Sequence, residues 1–593
     1  MKKRGLLLLC SLMAGACIAT GCGSQGAGSG DASLDASGNA AVASADASAD
    51  ASGDAQNVVA GMNTINDMGV EGSTFYVYAP ENPHTFDLMS GLLNGAIYLY
   101  PDTPYESEDE AYEAIKALGL DTIAEESPAY IIVPQPLNGS SWEEADLELY
   151  EASQKYLSGG TISMTQTGPT SEYNRCIYNN LQYIMAEGSG STFVNNVLSQ
   201  NAGRIAGILT FGGEMDESIS EGYALPAYLV NAQDNAVEYY KKVNETDTDD
   251  GDRSYNSGYT EKQVISVEGS DSFDADTIRT AWDKTLSHLT RACLDGNVVL
   301  DNTIQGDWLL ETWPNYSELG ITVTDHEMDG YEVHDFVPET AEDGAPLIIV
   351  LHGLSDDPYY TVNSTGWADM AAQEGLVVIA PDYPGFGMGD ATGNTDAPDF
   401  VKSVIEYASE TYGIDESRVY LTGFSMGGAT TGFVAEQYPE LFAGVVCMGA
   451  TGLVNDAAAD TSTFDLPFAV MVGTIDDNNI TEDEDGNPMM LGIRGDTTGL
   501  ESMFAMNEIK IDSFDYAAYP YWGFETEKTE TVTYKTLNYN VQTMSMDGYE
   551  GNFMEFVTLE GAAHSCSDYY ATLAWEFMSQ YSRNADGEIT YNK

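Results

Sequence analysis

Apolar residues along this chain fall in short unbroken runs rather than in alternation with polar ones. Tyr130-Ile131-Ile132-Val133, Leu347-Ile348-Ile349-Val350-Leu351, Leu376-Val377-Val378-Ile379-Ala380 and Leu466 to Gly473 are such runs. A run of this length suits a strand buried on both faces, as in a parallel sheet covered by helices. Between the runs lie helical stretches, among them Asp109–Leu118, Phe400–Thr411 and Ala429–Gln437. Alternating buried strands and helices predict doubly wound α/β domains, with ligand sites at the carboxyl ends of the strands.

The beginning of the chain departs from this pattern. Lys2, Lys3 and Arg4 precede a short apolar core that starts at Leu6–Leu9, which reads as a targeting signal over residues 1–21. Ala19-Thr20-Gly21-Cys22 resembles a bacterial lipobox, with Cys22 as the lipid attachment point. Residues 22–58 are mostly Gly, Ala, Ser and Asp and cannot bury a core, so they read as a flexible tether. The expected location is a bacterial cell membrane, lipid-anchored, with the body facing the exterior. Folded domains are then expected over residues 59–303 and 304–593.

Charge narrows the partners. The chain has 22 Lys+Arg against 94 Asp+Glu, a formal net charge of -72. That argues against nucleic acid or an anionic membrane surface as a ligand and leaves the membrane contact to the N-terminal lipid. Cys10 and Cys17 would leave with the signal. Besides Cys22, four cysteines remain, too few in this length for a disulfide framework.

The chemistry concentrates late in the chain. Arg418-Val419-Tyr420-Leu421-Thr422 reads as a strand, and Gly423-Phe424-Ser425-Met426-Gly427-Gly428 follows it. This is a G-x-S-x-G elbow, a strained strand-to-helix turn that lifts a serine hydroxyl above the sheet. The strand ending at Gly473 leads to Thr474-Ile475-Asp476-Asp477, which places an acid there. The strand Phe556–Leu559 leads through a loop to His564, the single histidine after Ser425. A serine needs such a base to become a nucleophile, and the base needs an acid to fix its tautomer. Asp476 is the stronger candidate acid, with Asp477 beside it. The strand ending at Leu351 runs into His352-Gly353-Leu354. A turn of this kind supplies a backbone donor to an oxyanion. Leu354 and Met426 are therefore the expected oxyanion donors, with His352 and Gly353 shaping the turn.

The first half can be laid on the second. Tyr183–Ser191 matches Tyr420–Gly428 at a constant offset, and further blocks follow in the same order. Such co-linearity reads as an internal repeat. In it Gly188 takes the nucleophile position and Ser272 the histidine position, Tyr100-Pro101 stands at His352-Gly353, and Asp234 lies within one residue of Asp476. The first domain is thus expected to be a degenerate copy without this chemistry.

Residues 328–580 resemble the α/β-hydrolase esterases that include polyhydroxybutyrate depolymerase-like and feruloyl-esterase-like proteins. The likeness rests on Gly330–Pro338, the strand before His352-Gly353, Ala380-Pro381-Asp382-Tyr383-Pro384, Tyr412–Tyr420, the elbow, Gly473–Asp476 and His564. It implies a serine esterase that uses no cofactor or metal and acts on small or polymer-linked esters of acyl or feruloyl type, with Ser425, Asp476 and His564 as its triad. A peptidase or acyltransferase on the same triad, and a surface binding protein that has lost activity, are the competing readings. Two features of the stretch between Asp476 and His564 stay open. Tyr516–Trp522 is either a cap over the substrate or packing, and Glu482–Asp485 is either a calcium loop or a solvated one.

Overall fold

The computed structural model describes residues 60–83, 94–158, 177, 181–201, 203–269, 272–292, 309–353, 356, 358–383, 397–450, 465–490, 500, 503–504, 506–509, 511 and 513–592. Cys22, the signal, the tether and Leu354 lie outside the described residues.

Two ten-stranded sheets organise the chain. In spatial order the first runs Gly61–Asn66, Thr74–Ala79, Ala129–Pro134, Gly95–Tyr100, Gln182–Glu187, Gly207–Phe211, Ala227–Val230, Tyr259–Val267, Arg253–Asn256 and Thr248–Asp250. The second runs Ile321–Met328, Tyr331–Pro338, Val377–Pro381, Leu347–Leu351, Val419–Phe424, Gly444–Met448, Phe468–Gly473, Met554–Leu559, Leu537–Met544 and Lys528–Tyr534. Numbered in chain order within each sheet, both read 1-2-4-3-5-6-7-10-9-8. Their strand directions agree as well. Six central strands are parallel, and an antiparallel pair flanks them at each edge.

The sheets are mixed, whereas the unbroken apolar runs pointed to parallel strands. The difference lies at the edges. Ile321–Met328 and Lys528–Tyr534 are largely exposed and carry few apolar residues, so they leave no such run in the sequence. The central strands Leu347–Leu351, Val419–Phe424 and Phe468–Gly473 are buried throughout. Each sheet is covered on both faces. In the second domain Ala397–Tyr412 and Met426–Gln437 pack on one face, and Trp367–Glu374 and Tyr570–Met578 on the other.

Within the segment Phe514–Phe524, Tyr516, Trp522 and Phe524 reach the core, while residues 517–520 are exposed. Trp522 is 1% exposed and its ring lies 5.0 Å from that of Phe556, while Phe524 packs on Phe504 and Phe556. Tyr516 and Trp522 of the aromatic cluster are therefore packing, while Tyr519 lies at the surface. The acidic loop is a hairpin turn between Ile480–Glu482 and Pro488–Met490, in which the Asp483 carboxylate accepts from the Asn487 backbone and side chain and from the Asp485 backbone.

Candidate active site

The elbow follows from local geometry. The strand Val419–Phe424 ends at Ser425, and the helix starts immediately at Met426, three residues before the helical stretch read from the sequence. Ser425 has φ 54° and ψ -112°, a conformation costing roughly 1–3 kcal/mol for a residue with a Cβ. Its N–H donates to Met448 O at 2.8 Å, and its carbonyl accepts from Ala429 at 2.9 Å, which fixes both ends of the turn. Two flanking glycines are set by space. A Cβ on Gly427 would lie 2.0 Å from Leu351 O, and one on Gly428 2.6 Å from Met448 O.

Three of the candidate residues meet. Ser425 Oγ lies 2.7 Å from His564 Nε2, and His564 Nδ1 lies 3.0 Å from Asp476 Oδ2. Asp476 is 1% exposed. Its Oδ1 accepts from the Asn478 N–H at 3.0 Å and its Oδ2 from Asn479 Nδ2 at 2.8 Å. Asn479 Nδ2 also reaches Gly449 O at 2.8 Å, tying the acid to the strand end beside the elbow. Asp477 makes no hydrogen bond to the imidazole, so of the two acids it is Asp476 that faces His564. Burial pushes the Asp477 carboxyl up, and the Asp476 charge adds to this.

The imidazole is tuned by opposing effects. Burial pulls the His564 pKa down. The Asp476 carboxylate outweighs it through charge and hydrogen bond, and Asp356 and Asp477 add to the rise, so the net shift is upward. The Phe424 ring packs against His564 with centroids 5.0 Å apart. Gly449, at φ 60°, lies beneath both rings, where a Cβ would come within 2.6 Å of Phe424.

The oxyanion side is set by His352 and Gly353. His352 is 1% exposed, with Nδ1 2.8 Å from Gly353 O and Nε2 3.2 Å from Asp382 Oδ1, and its carbonyl accepts from Tyr383 Oη at 3.0 Å. It therefore braces the turn, through Gly353, Asp382 and Tyr383. Met426 opens the elbow helix, where the first N–H groups have no partner within the helix. Asp356 Oδ2 lies 2.4 Å from where a Gly353 Cβ would be, which brings a carboxylate to this wall. The motif reading gave no role to Asn479, Phe424, Gly449, Asp356 or Asp382. The run Asp476-Asp477-Asn478-Asn479 carried a signal for the first, since Asx side chains bond nearby backbone in turns.

The first domain has a turn in the corresponding place. The strand Gln182–Glu187 runs into the helix Gly188–Asn196, and Gly188 has φ 54°. A Cβ on Gly190 would lie 2.1 Å from Tyr100 O, as one on Gly427 would from Leu351 O. Tyr100 pairs with Ala186 as Leu351 pairs with Gly423. The register therefore puts Pro101-Asp102, not Tyr100-Pro101, at His352-Gly353, a correction of one residue. Asp102 Oδ1 lies 2.1 Å from the Cβ position of Gly188 and accepts from the Ser189 N–H at 2.7 Å. The amide that follows the elbow is thus occupied by a carboxylate. Ser189 Oγ donates to Asp102 O, and Ser272 Oγ donates to Asp274 Oδ2 at 2.6 Å.

A mixed sheet with a strained serine turn, an acid after a later strand and a loop histidine defines the α/β-hydrolase fold of this second domain. Residues 346–472 match the family model of the alpha/beta hydrolase fold. A bifunctional acetylxylan esterase/xylanase of Neocallimastix patriciarum is 32% identical over 180 residues, covering 28% of this chain and 26% of that protein. Feruloyl esterase B of Neurospora crassa is 28% identical over 141 residues, covering 22% of this chain and 48% of that protein. This chain thus spans between about a quarter and a half of those curated relatives. Among solved structures, an acetyl xylan esterase from Aspergillus awamori aligns over 44% of this chain and 99% of its own, at 17% identity and a TM-score of 0.31.

Proposed function

We propose that this protein is a serine carboxylesterase of the cell surface that removes acyl or feruloyl groups from an external, polymer-linked substrate. The observation that carries the reading is the unbroken chain Ser425 Oγ, His564 Nε2, His564 Nδ1, Asp476 Oδ2. Two relatives, an acetylxylan esterase/xylanase and a feruloyl esterase, support the ester class.

In this reading Ser425 Oγ attacks the ester carbonyl carbon while His564 Nε2 takes its proton. Asp476 holds the imidazole with Nδ1 as donor and stabilises the imidazolium. The N–H groups of Met426 and Leu354 receive the oxyanion. The C–O bond to the alcohol then breaks as Nε2 returns the proton to the leaving oxygen. Water, activated by the same nitrogen, releases the acid and restores Ser425. The first domain takes no chemical part, with Gly188 and Asp102 where a nucleophile and an open amide would be needed. Cys22 carries a lipid and residues 22–58 form the tether. Among the described residues, no helix is long and apolar enough to cross a membrane.

The test is hydrolysis of p-nitrophenyl acetate, methyl ferulate and acetylated xylan by the full chain beside Ser425→Ala, with fluorophosphonate labelling of both. Turnover lost in the variant together with wild-type labelling at Ser425 supports the reading. A wild type that neither turns over nor labels would sink it and leave a binding protein.

A further inference from the structure

We propose that the first domain holds the His564 loop in place through a buried ion cluster, making Lys535 and Glu261 positioning residues for the reaction proposed above, on which this inference rests. Lys535 lies at the turn between Lys528–Tyr534 and Leu537–Met544, yet its side chain is 2% exposed. Its Nζ lies 2.6 Å from Glu261 Oε1, 2.7 Å from Asp568 Oδ2 and 3.2 Å from Leu310 O. These partners sit on three separate parts of the molecule. Glu261 belongs to the first-domain strand Tyr259–Val267, Leu310 to the strand Leu309–Thr312 that follows that domain, and Asp568 to the loop that carries His564.

The contacts past His564 carry the anchor toward the imidazole. Ser567 Oγ and Tyr539 Oη are 2.5 Å apart, and the Tyr569 ring stacks on Tyr534 at 4.3 Å. The Asp568 carbonyl seats against Gly366, 2.0 Å from where a Cβ would stand. The loop is therefore gripped at His564 by Asp476 and at Asp568 by Lys535. Tyr259 of the first domain closes the far side. Its hydroxyl donates to Leu310 O at 2.8 Å, and its ring centroid lies 5.1 Å from Lys535 Nζ.

Two further observations single out Lys535. It has φ 54°, as the two-residue hairpin turn between its flanking strands requires, at a position that glycine or asparagine would occupy at less cost. Burial works against its ammonium, but the Asp568 and Glu261 carboxylates more than restore it and hold the pKa well above the ordinary value. Burial, reinforced by the Asp568 charge, pushes the neighbouring Glu311 carboxyl well up. One ammonium thus serves the Asp568 and Glu261 carboxylates beside the buried Glu311 side chain, and removing it leaves buried acids facing one another.

The test compares Lys535→Met, Glu261→Gln and the double variant with wild type, in the full chain. Expected for Lys535→Met is a fall in kcat of between about tenfold and a hundredfold for p-nitrophenyl acetate, with KM within about twofold, because the base is displaced rather than the substrate site. Glu261→Gln is expected to lower kcat by a smaller factor. The double variant should lose no more than Lys535→Met alone, since both act through one link. Amide hydrogen exchange of residues 560–570 should accelerate in each variant. A kcat within twofold of wild type in both single variants, or unchanged exchange in that segment, overturns the proposal. If Lys535→Met does not fold, Glu261→Gln decides by the same two readings. If wild type neither turns over nor labels, the esterase reading falls, and exchange still decides whether the anchor exists.

Discussion

Asp476→Asn is the substitution that tests the site most closely, because it changes charge and hydrogen-bond polarity at nearly constant shape. Asp476 accepts on both oxygens, from Asn478 N on Oδ1 and from His564 Nδ1 and Asn479 Nδ2 on Oδ2. An asparagine cannot accept on both. If its oxygen stays toward Asn478, its NH₂ confronts two donors, and His564 is driven to the tautomer that accepts at Nδ1. Nε2 then carries the proton and cannot take one from Ser425. If the amide turns over, its NH₂ faces the Asn478 N–H instead, and a buried contact is lost. The tautomer fault is worth about 10⁴ in kcat, or roughly 5.5 kcal/mol of barrier. The sign of the pH effect follows from the same contact. Burial lowers the His564 pKa and Asp476 raises it to a net upward shift, so losing the charge moves the pKa down. The acid limb of kcat/KM, which reports formation of the free base, should therefore move to lower pH while the plateau collapses. The assay is a pH series of kcat/KM on p-nitrophenyl acetate for wild type, Asp476→Asn and Asp477→Asn. The reasoning is refuted if Asp476→Asn loses less than about tenfold, or if Asp477→Asn loses more than Asp476→Asn.

Three other outcomes are expected. Burial first, then Glu576 and Glu530, push the Glu555 carboxyl to about 8, so between its unfolded value and 8 the native state binds more protons than the unfolded one. Stability is then lost as pH rises through that window, and Glu555→Gln should flatten the fall in Tm between about pH 5 and pH 9; an equal slope in both proteins would contradict this. Gly188→Ser in a Ser425→Ala background should remain without turnover and should unfold at lower temperature, because its Cβ would meet Asp102 Oδ1 at 2.1 Å; recovered hydrolysis would refute the reading of the first domain. Cys22→Ala should move the protein from the detergent phase to the aqueous phase in Triton X-114 partition, and retention in detergent would rule out a Cys22-borne lipid as the anchor.

Much of the site was legible because the elbow imposes local rules. Gly427 and Gly428 face backbone too closely for a side chain, and largely apolar, fully buried strands lead to Ser425, Asp476 and the His564 loop. What escaped depends on distance in the chain or on the solvent side of a strand. The exposed strand Lys528–Tyr534 has only Val532 and Tyr534 as apolar residues to mark it. Trp522 reads alike as cap or core until Phe556 is placed beside it. The acid pair Asp476-Asp477 is separated by which carboxylate faces the imidazole, which one-residue spacing cannot fix. Lys535 meets Glu261 274 residues away, and no local pattern predicts such a partner.

The two turns at φ 54° bring these points together. Gly188 and Ser425 sit at matching ends of matching strands and have the same φ, and Gly190 and Gly427 abut matching carbonyls. For glycine that conformation carries no steric cost, while for serine it costs roughly 1–3 kcal/mol. The scaffold therefore demands the turn in both domains, but strain is held only where a hydroxyl lies 2.7 Å from an imidazole. Where the hydroxyl is absent, a carboxylate lies in the space a Cβ would fill and takes the next amide. Packing explains why the glycines recur in both domains. It does not explain a strained serine under a buried acid and a histidine, and that residue of unexplained cost is what argues for chemistry at Ser425.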